Sequence, residues 1–206
     1  MKYEFTNSWF ESVARGSWDI VFDTLRPQRV LEVGSWEGAS AVYAIEKIEK
    51  YGGGEICCID TWSGGVEHDK SEMNRVEERF TRNINFMMSS CPRVGVRVEK
   101  STSELVLSRL LAEQVAPFDF IYIDGSHQAS DVLLDACIAF RLLRFGGVIC
   151  FDDYLWRYVD TTSTSQTPMV LMSPKIAIDA FSNINFDRLE FLPMLPNYQF
   201  FFRRLR

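Results

Sequence analysis

The stretch VLEVGSWEGAS, residues 30–40, decides the fold. An apolar run, Val30–Val33, leads through a turn with Gly34 and Gly38 into helical spacing over about 38–50. Glycines let the backbone approach a ligand closely, and the N–H groups at a helix start point toward it. We therefore expect a strand, a ligand-binding turn and a helix. A structural turn that binds nothing is the alternative.

The rest of the chain continues this alternation of strands and helices. Alternating short apolar runs and helical stretches are typical of βαβ units and a parallel sheet. We therefore predict five parallel strands. Besides the first, they are expected at Ile56–Ile59, Val94–Val98, Phe118–Ile123 and Val148–Phe151, with helices at about 70–88, 102–114 and 128–143.

The two flanks of this core have different patterns. Residues 1–27 are expected to form an N-terminal helical cap that ends at Pro27, which cannot continue a helix. The stretch 154–173 is rich in Thr, Ser and Pro, which predicts a long loop that acts as a lid. A helix at about 174–183 follows. Two strand-like runs, Arg188–Phe191 and Gln199–Phe202, are expected to form an antiparallel edge hairpin.

Composition narrows the class of protein. A chain of 206 residues with 47% hydrophobic content is sufficient for one domain. The net charge of −6 argues against nucleic-acid binding, which needs clustered Lys and Arg. Five cysteines, odd in number and without metal-ligand spacing, favour a reducing cytoplasm. No signal peptide and no apolar window of about 20 residues is present, so no membrane partner is expected.

The second strand ends in Asp60, where a carboxylate can accept hydrogen bonds from ribose hydroxyls. A nicotinamide-binding turn would read G-x-G-x-x-G, but Trp36 stands where the middle glycine would be. The indole of Trp36 and the carboxylate of Glu37 would both oppose a pyrophosphate. An NAD-dependent oxidoreductase is therefore the weaker alternative. Taken alone, Asp60 is equally compatible with a turn or a helix cap.

Four segments in order resemble successive motifs of class I methyltransferases that use S-adenosylmethionine (SAM): VLEVGSWEGAS, CIDTW, FDFIYIDGSH and LLRFGGVICFDDY. The likeness is nearest to methyltransferase family 24, which is related to antibiotic-sugar O-methyltransferases, and covers about residues 28–155. It implies an α/β fold with a Rossmann-like, seven-stranded, mostly parallel sheet, helices on both faces and an antiparallel edge hairpin. Residues 1–206 would form a single methyltransferase domain.

The resemblance also implies how the methionine part of SAM is held. Gly34, Ser35 and Gly38 would lie along it, and Glu32 would support its amino group. The full set of expected cofactor-binding residues is Glu32, Gly34, Ser35, Trp36, Gly38, Asp60, Thr61, Trp62, Ser101, Thr102, Ser103 and Asp124.

For the adenosine part, the resemblance places Asp60 at the ribose and Trp62 near the adenine. The turn at residues 101–103 matches the position where such enzymes usually contact the adenine. Many relatives carry an acidic residue there, whereas this chain has only hydroxyl side chains.

Three carboxylates follow the fourth and fifth strands: Asp124, Asp152 and Asp153. The carboxyl ends of neighbouring parallel strands line one crevice, so these like charges should converge and need neutralising. Mg²⁺ takes oxygen ligands, and metal-dependent relatives are similar in placing acidic residues here. We therefore predict a metal site that lowers the pKa of the acceptor hydroxyl. In the alternative, Asp152 caps a turn, Asp153 is solvated and only Asp124 meets the cofactor.

His127 follows the fourth strand into the predicted cleft. A histidine side chain, with an ordinary pKa of about 6.5, suits a general base. We expect His127 and Asp124 to be the catalytic residues. Sugar-methylating relatives place an aspartate where Ser126 stands, so a structural role for His127 stays open. The other histidine, His68, is expected to be solvated.

The sequence thus predicts a cytoplasmic enzyme that methylates a hydroxyl of a small acceptor, such as a sugar or a phenol, with SAM and Mg²⁺. A non-catalytic SAM-binding domain is the second alternative. The aromatic residues Tyr154, Trp156 and Tyr158 are candidates for the acceptor pocket, or else belong to the core. A homo-oligomer is compatible with this prediction.

Overall fold

The computed structural model describes residues 3–65, 71–157, 170–195 and 198–206. Within these ranges, seven strands form one sheet. They are β1 (Arg29–Val33), β2 (Gly54–Asp60), β3 (Val94–Lys100), β4 (Phe118–Ile123), β5 (Leu143–Phe151), β6 (Leu189–Leu192) and β7 (Phe200–Arg204). The same ranges hold six α-helices: α1 (Arg15–Leu25), α2 (Ala39–Lys50), α3 (Met73–Met88), α4 (Ser103–Ala112), α5 (Ala129–Leu142) and α6 (Pro174–Ile184).

The strands lie in the order β3-β2-β1-β4-β5-β7-β6. Neighbouring strands from β3 to β5 are parallel, while β7 is antiparallel to both β5 and β6. The predicted five parallel strands and the antiparallel edge pair are confirmed. The order of strands reverses between β1 and β4. In open α/β sheets, a ligand crevice forms at such a reversal, outside the carboxyl ends of the strands.

Both faces of the sheet are buried, which explains why its central strands have continuous apolar runs. Val30 and Cys58 point into a core shared with α1, α2 and α3. Their neighbours Leu31 and Cys57 point into a second core with α4, α5 and α6. Successive side chains of a strand alternate between faces, so each apolar run supplies both cores.

The helical spacing of residues 8–25 agrees with a helical segment that starts at residue 9 and ends at Leu25. A π-helical turn, Phe10–Ala14, leads into α1, and residues 3–7 are not helical. The helix ends where Arg26 takes a left-handed conformation with φ of 47°, followed by Pro27. The cap is therefore part helix and part extended segment.

Two sequence predictions fall wholly or mainly outside the described residues. They are the position of His68 and most of the loop predicted over 154–173, including Tyr158. Tyr154 is described, and its ring stacks on Phe200 at 3.7 Å between centroids. It belongs to the packing of the sheet edge rather than to a pocket. No helix in the described ranges has the length and apolar character needed to cross a membrane.

Candidate active site

A cavity of about 870 Å³ opens at the carboxyl ends of the strands, at the reversal between β1 and β4. Its lining comes from the turns that follow β1, β2, β3, β4 and β5, and from the N-terminal segment. Of the residues predicted for the site, twelve line this cavity: Gly34, Ser35, Trp36, Asp60, Thr61, Ser101, Thr102, Ser103, Asp124, His127, Asp152 and Asp153.

The two glycines of the first turn have different roles. Gly34 has φ of +85°, and a Cβ there would lie 2.1 Å from the carbonyl oxygen of Asp124. Only glycine fits this close approach between the turns after β1 and β4. Gly38, with φ of +83°, precedes α2, and its Cβ would meet the ring of Phe80 at 3.0 Å. Gly38 shapes the helix start and does not line the cavity, and its contact with the cofactor stays a prediction.

Asp60 joins the first two turns. Its Oδ2 accepts hydrogen bonds from the backbone N–H groups of Ser35, at 2.8 Å, and Trp36, at 3.0 Å. Its Oδ1 accepts one from the N–H of Trp62, at 2.7 Å. Oδ2 thus accepts two hydrogen bonds and Oδ1 one, so Oδ1 can accept a further hydrogen bond from a ribose hydroxyl. The ribose role stays a prediction, and the structure also shows the turn-holding role that the sequence left open.

Glu32 lies beneath the first turn and does not line the cavity. Its carboxylate is 1% exposed and accepts hydrogen bonds from the hydroxyls of Ser35, at 2.6 Å, and Ser40, at 2.5 Å. Burial raises the pKa of Glu32 to about 7, although the two serine hydroxyls act to lower it. In this structure Glu32 holds the turn that the resemblance assigns to the methionine part, and does not face the cavity itself.

Trp62 was expected near the adenine, but it lies in the core. Its side chain is buried against Phe80, at 4.8 Å between ring centroids, and its Nε1 donates to the carbonyl of Trp36 at 3.0 Å. Trp36 does line the cavity, in a left-handed conformation with φ of 48°, and its ring lies 6.0 Å from that of Trp9. The indole at this end of the cavity is therefore Trp36, not Trp62.

The turn at 101–103 lines the cavity together with one face of α5. The N–H of Ser101 donates to the carbonyl of Asp60, which fixes this turn beside β2. From α5, Asp135 lines the same region, is 2% exposed and lies beside Ser103, which acts to lower its pKa. Burial raises the pKa of Asp135 to about 7. Sequence reasoning missed this residue, although a carboxylate inside the apolar run VLLDACIAF was a visible signal.

Two of the three predicted metal ligands, Asp124 and Asp152, come together at one side chain, and the third, Asp153, lines the same cavity. The hydroxyl of Tyr122 lies between Asp124, at 3.0 Å, and Asp152, to which it makes a shorter hydrogen bond. Gln199 donates to the same oxygen of Asp152 at 2.9 Å. Burial and the neighbouring carboxylates raise the pKa of Asp124 well above its usual range. Burial and the charge of Asp153 raise that of Asp152 to about 6.

As they stand, these carboxylates form hydrogen bonds with protein groups. Asp152 also accepts the N–H of Asp153 at 2.7 Å, which is the turn cap of the alternative reading. Within the described ranges, no group of three or more His, Cys, Asp or Glu side chains is positioned as a metal site. The donor chemistry nevertheless fits a hard cation, since buried carboxylates that raise one another's pKa lack a compensating positive charge.

His127 is paired with the third carboxylate. Its Nε2 lies 2.8 Å from Oδ2 of Asp153, and its ring lies 3.9 Å from that of Trp156 between centroids. Burial and the nearby charge of Asp153 raise the pKa of Tyr198 to about 12. The arrangement joins an imidazole, a carboxylate and an aromatic wall at one point of the cavity.

The N-terminal segment covers the cavity through contacts that the sequence did not predict. The buried carboxylate of Glu37 accepts hydrogen bonds from the N–H of Thr6, at 2.6 Å, and from Nε of Arg79, at 2.5 Å. Asn83 of α3 accepts from the N–H of Glu4 at 2.8 Å and donates to the carbonyls of Glu4 and Glu37. These bonds position Phe5 and Trp9 on the cavity wall.

Comparisons with known proteins agree with this geometry. The model of methyltransferase family 24, described as a methyltransferase domain, matches residues 31–154. A comparison with curated proteins finds no match.

Solved structures share the fold. An O-methyltransferase from Bacillus cereus in complex with SAH has a TM-score of 0.62 and 18% identity, over 100% of this chain and 84% of that chain. The SAH-bound methyltransferase PaMTH1 of Podospora anserina has a TM-score of 0.60 and 21% identity, over 93% and 78%. The O-methyltransferase TomG of Streptomyces achromogenes, involved in tomaymycin synthesis and in complex with SAM, has a TM-score of 0.58 and 15% identity, over 91% and 77%.

These likenesses establish the fold, and the family model carries the assignment because it spans more than half of the chain. The predicted class I methyltransferase of family 24 type is confirmed, and the NAD-dependent alternative is not. The chain belongs to the methyltransferase domain family.

Proposed function

We propose that this chain is a SAM-dependent O-methyltransferase that acts on a small hydroxylated acceptor. The observation that carries the proposal is the cavity itself. At one sheet reversal it brings together the glycine turn, Asp60 and the pair of His127 with Asp153. The family match supports methyl transfer, and the similar structures with SAM or SAH bound support the cofactor.

The cofactor would occupy the side formed by the turns after β1, β2 and β3. Asp60 holds the first two of these turns in register through three backbone N–H groups. Ser101, whose N–H bonds the carbonyl of Asp60, extends the same wall toward Asp135. The methyl group would then face the acceptor side, where Asp124 and His127 lie. Such positioning accounts for much of the catalysis of a bimolecular transfer.

His127 would take the proton of the acceptor hydroxyl as methyl transfer proceeds. Asp153, 2.8 Å from its Nε2, would orient the ring and stabilise the imidazolium that forms. Since SAM is already a reactive sulfonium, no covalent enzyme intermediate is needed. The product acceptor would carry the new methyl ether, and the proton would reside on His127 until it passes to solvent.

We propose further that a divalent cation assists this reaction, with Asp124, Asp152 and Asp153 as the residues that would hold it. The support is the group of buried acidic side chains: burial and neighbouring carboxylates raise the pKa of Asp124 and Asp152, and a bound cation would favour their ionised forms. Bound there, the cation would lower the pKa of the acceptor hydroxyl. The protein's own hydrogen bonds to these carboxylates, from Tyr122 and Gln199, would compete with it.

Two measurements test these proposals separately. Titration calorimetry should show SAM binding, and radiolabelled SAM should transfer its methyl group to a member of a hydroxylated acceptor library. SAM binding without any transfer would favour the non-catalytic alternative.

For the cation, the melting temperature should rise with the Mg²⁺ concentration. At a hundredfold the dissociation constant, the bound ion would add about 2.7 kcal/mol to the free energy of unfolding. Asp153→Asn should reduce that rise, whereas Asp187→Asn, on the exposed surface, should not. If about 20 mM Mg²⁺ leaves the melting temperature unchanged, the proposed metal site is wrong.

A further inference from the structure

The described lining of the cavity is rich in acidic side chains, although the raised pKa values of Asp124, Asp135 and Asp152 make these three the least charged near neutral pH. It contains eight carboxylate side chains and no lysine or arginine. The carboxylates are Glu37, Asp60, Glu104, Asp124, Asp131, Asp135, Asp152 and Asp153. The undescribed ranges 1–2, 66–70, 158–169 and 196–197 contain, by sequence, two lysines against three acidic residues. Their composition therefore adds no excess of positive charge.

Protein cations offset little of this negative charge. Arg79 pairs with Glu37 at 2.5 Å, and His127 contacts Asp153. The carboxylates of Asp124 and Asp131 instead receive hydrogen bonds from the neutral hydroxyls of Tyr122 and Ser126.

Elsewhere on the molecule, by contrast, carboxylates commonly lie beside a guanidinium. Arg93 pairs with Glu49 at 2.6 Å, and Arg144 pairs with Asp119 at 2.5 Å. Neither pair lines the cavity. The shortage of cations is therefore a property of the cavity rather than of the chain as a whole.

The acceptor side also has an apolar, aromatic wall. Phe5, Trp9 and Phe10 of the N-terminal segment line the cavity, as do Trp156 and Tyr198 from the turns near β5 and β7. Aromatic faces suit rings, and they also attract cations through their negative π-faces. Nothing in the described lining has the guanidinium or ammonium that recognises phosphate or carboxylate groups.

We propose that the acceptor is a hydroxylated ring compound without negative charge, and that a protonated amine on it strengthens binding. The inference rests on the proposed function and narrows its substrate class. Carboxylated, phosphorylated and nucleotide-linked acceptors would meet uncompensated carboxylates in a partly desolvated space. SAM itself fits this field, because its sulfonium and ammonium groups outnumber its carboxylate.

The tryptophans offer a test that needs no knowledge of the acceptor. Trp9, Trp36 and Trp156 line the cavity, whereas Trp18 and Trp62 are 1% and 5% exposed and lie in the core. Fluorescence quenching by iodide and by caesium, each normalised to free N-acetyltryptophanamide at equal ionic strength, therefore reports which sign of ion enters the cavity.

A control variant measures the effect of the net charge of the whole chain. It carries Trp9→Phe, Trp36→Phe and Trp156→Phe together with Phe186→Trp, whose side chain is 78% exposed and outside the lining. We expect the iodide-to-caesium quenching ratio of the native chain to be at least twofold below that of the control. A ratio within twofold of the control would overturn the proposal.

Charge-matched acceptors test the substrate class directly. The probes are 4-(2-aminoethyl)catechol, 4-ethylcatechol and 3,4-dihydroxyphenylacetate, with glucosamine, glucose and glucuronate as a sugar series. In the series that accepts methyl groups, the anionic member should have a kcat/KM at least tenfold below its neutral counterpart, and a smaller penalty contradicts the proposal. Failure to bind SAM would refute the proposed function instead, while the quenching ratio would still decide the charge of the cavity.

Discussion

The cofactor side and the acceptor side of the cavity are built in different ways. The cofactor side consists of short turns that follow neighbouring strands. Hydrogen bonds to backbone N–H groups hold these turns together, as the carboxylate of Asp60 does for the turns at Ser35 and Trp62. The acceptor side joins segments that are far apart in the chain, such as Phe5 with Trp156. A backbone site leaves a pattern of glycine and aspartate in the sequence, whereas a site assembled from distant side chains leaves little.

Glu37 connects the two sides. Glu37 is part of the glycine motif, but its carboxylate binds Thr6 and Arg79. It thereby holds the N-terminal segment over the cavity. A motif that forms the cofactor wall thus also carries the anchor of the acceptor wall. The predictions below test whether the two sides can be damaged separately, beginning with the largest expected effect.

Gly34→Ala should destroy the cofactor side and the fold with it. The new Cβ would lie 2.1 Å from the carbonyl oxygen of Asp124, at a φ of +85° that alanine rarely adopts. Backbone must shift at the junction of two strands, so we expect a loss of roughly 4 kcal/mol or more in the free energy of unfolding. Urea denaturation measures it.

Gly16→Ala is the matched control, because a Cβ at this position of α1 has no heavy atom within 4 Å. It should change stability by no more than about 1 kcal/mol, in the stabilising direction, since alanine favours a helix. Equal stability of the two variants would contradict the close approach that makes Gly34 necessary.

The same contrast explains what the sequence could predict. The strands and the three carboxylates after β4 and β5 were predictable, because apolar runs and strand-end aspartates are local signals. The placement of β7 between β5 and β6 was not, since that depends on long-range pairing. The family resemblance placed Trp62 near the adenine, but its ring packs on Phe80, a contact that no local pattern encodes. Asp135 interrupts an apolar run, which is a local signal, but its neighbour Ser103 belongs to α4 and is far away in the sequence. The sequence therefore did not show that Asp135 lies beside the turn at 101–103.

His127→Ala should damage the acceptor side alone. Loss of a general base typically lowers kcat by on the order of 10²–10⁴-fold, and we expect SAM affinity to stay within about twofold. The imidazole also packs on Trp156, so a purely structural role must be separated. Imidazole added to the solution should restore part of the activity if His127 moves a proton. Lost activity without any rescue would indicate a structural role, and full activity would exclude His127 from proton transfer.

Glu32→Gln tests the support of the cofactor side by removing the buried carboxyl group that can ionise there. Burial raises the pKa of Glu32 to about 7, above the ordinary 4.5 that applies in the unfolded chain. The folded state therefore retains a proton that the unfolded state has released, so native stability is greatest below pH 4.5 and falls as pH rises to about 7. The cost at pH 8 is about 3 kcal/mol, from 1.36 kcal/mol for each pKa unit.

In Glu32→Gln this contribution to the pH slope should disappear, while the amide can still bond Ser35 and Ser40. Stability curves from pH 4.5 to 8 should converge at the acid end and separate at the basic end, with the variant more stable. Parallel curves would mean that Glu32 does not hold a proton in the folded state.

The smallest expected effect tests whether the cofactor side binds its ligand through Asp60 or is merely shaped by it. Asp60→Asn replaces one carboxylate oxygen by an NH₂ group, which faces backbone N–H donors from Ser35 and Trp36, or from Trp62. We expect SAM affinity to fall about 10–100-fold, since one hydrogen bond to a charged group contributes about 1.5–3 kcal/mol. Titration calorimetry measures the dissociation constant, and circular dichroism confirms that the variant is folded.

Asp119→Asn is the matched control for Asp60→Asn. Asp119 also accepts two backbone N–H bonds, from Gln28 and Arg29 at 2.8 Å each, but at the amino end of β1 and outside the cavity. Asp60→Asn disturbs three backbone N–H bonds, and Asp119→Asn disturbs two together with the ion pair to Arg144, so both variants should lose stability. Only Asp60→Asn should weaken SAM binding, because only Asp60 combines its anchor with a place on the cavity wall. Equal SAM affinities in the two variants would mean that Asp60 shapes the turns without meeting the ribose, and the cofactor side would then bind through its backbone alone.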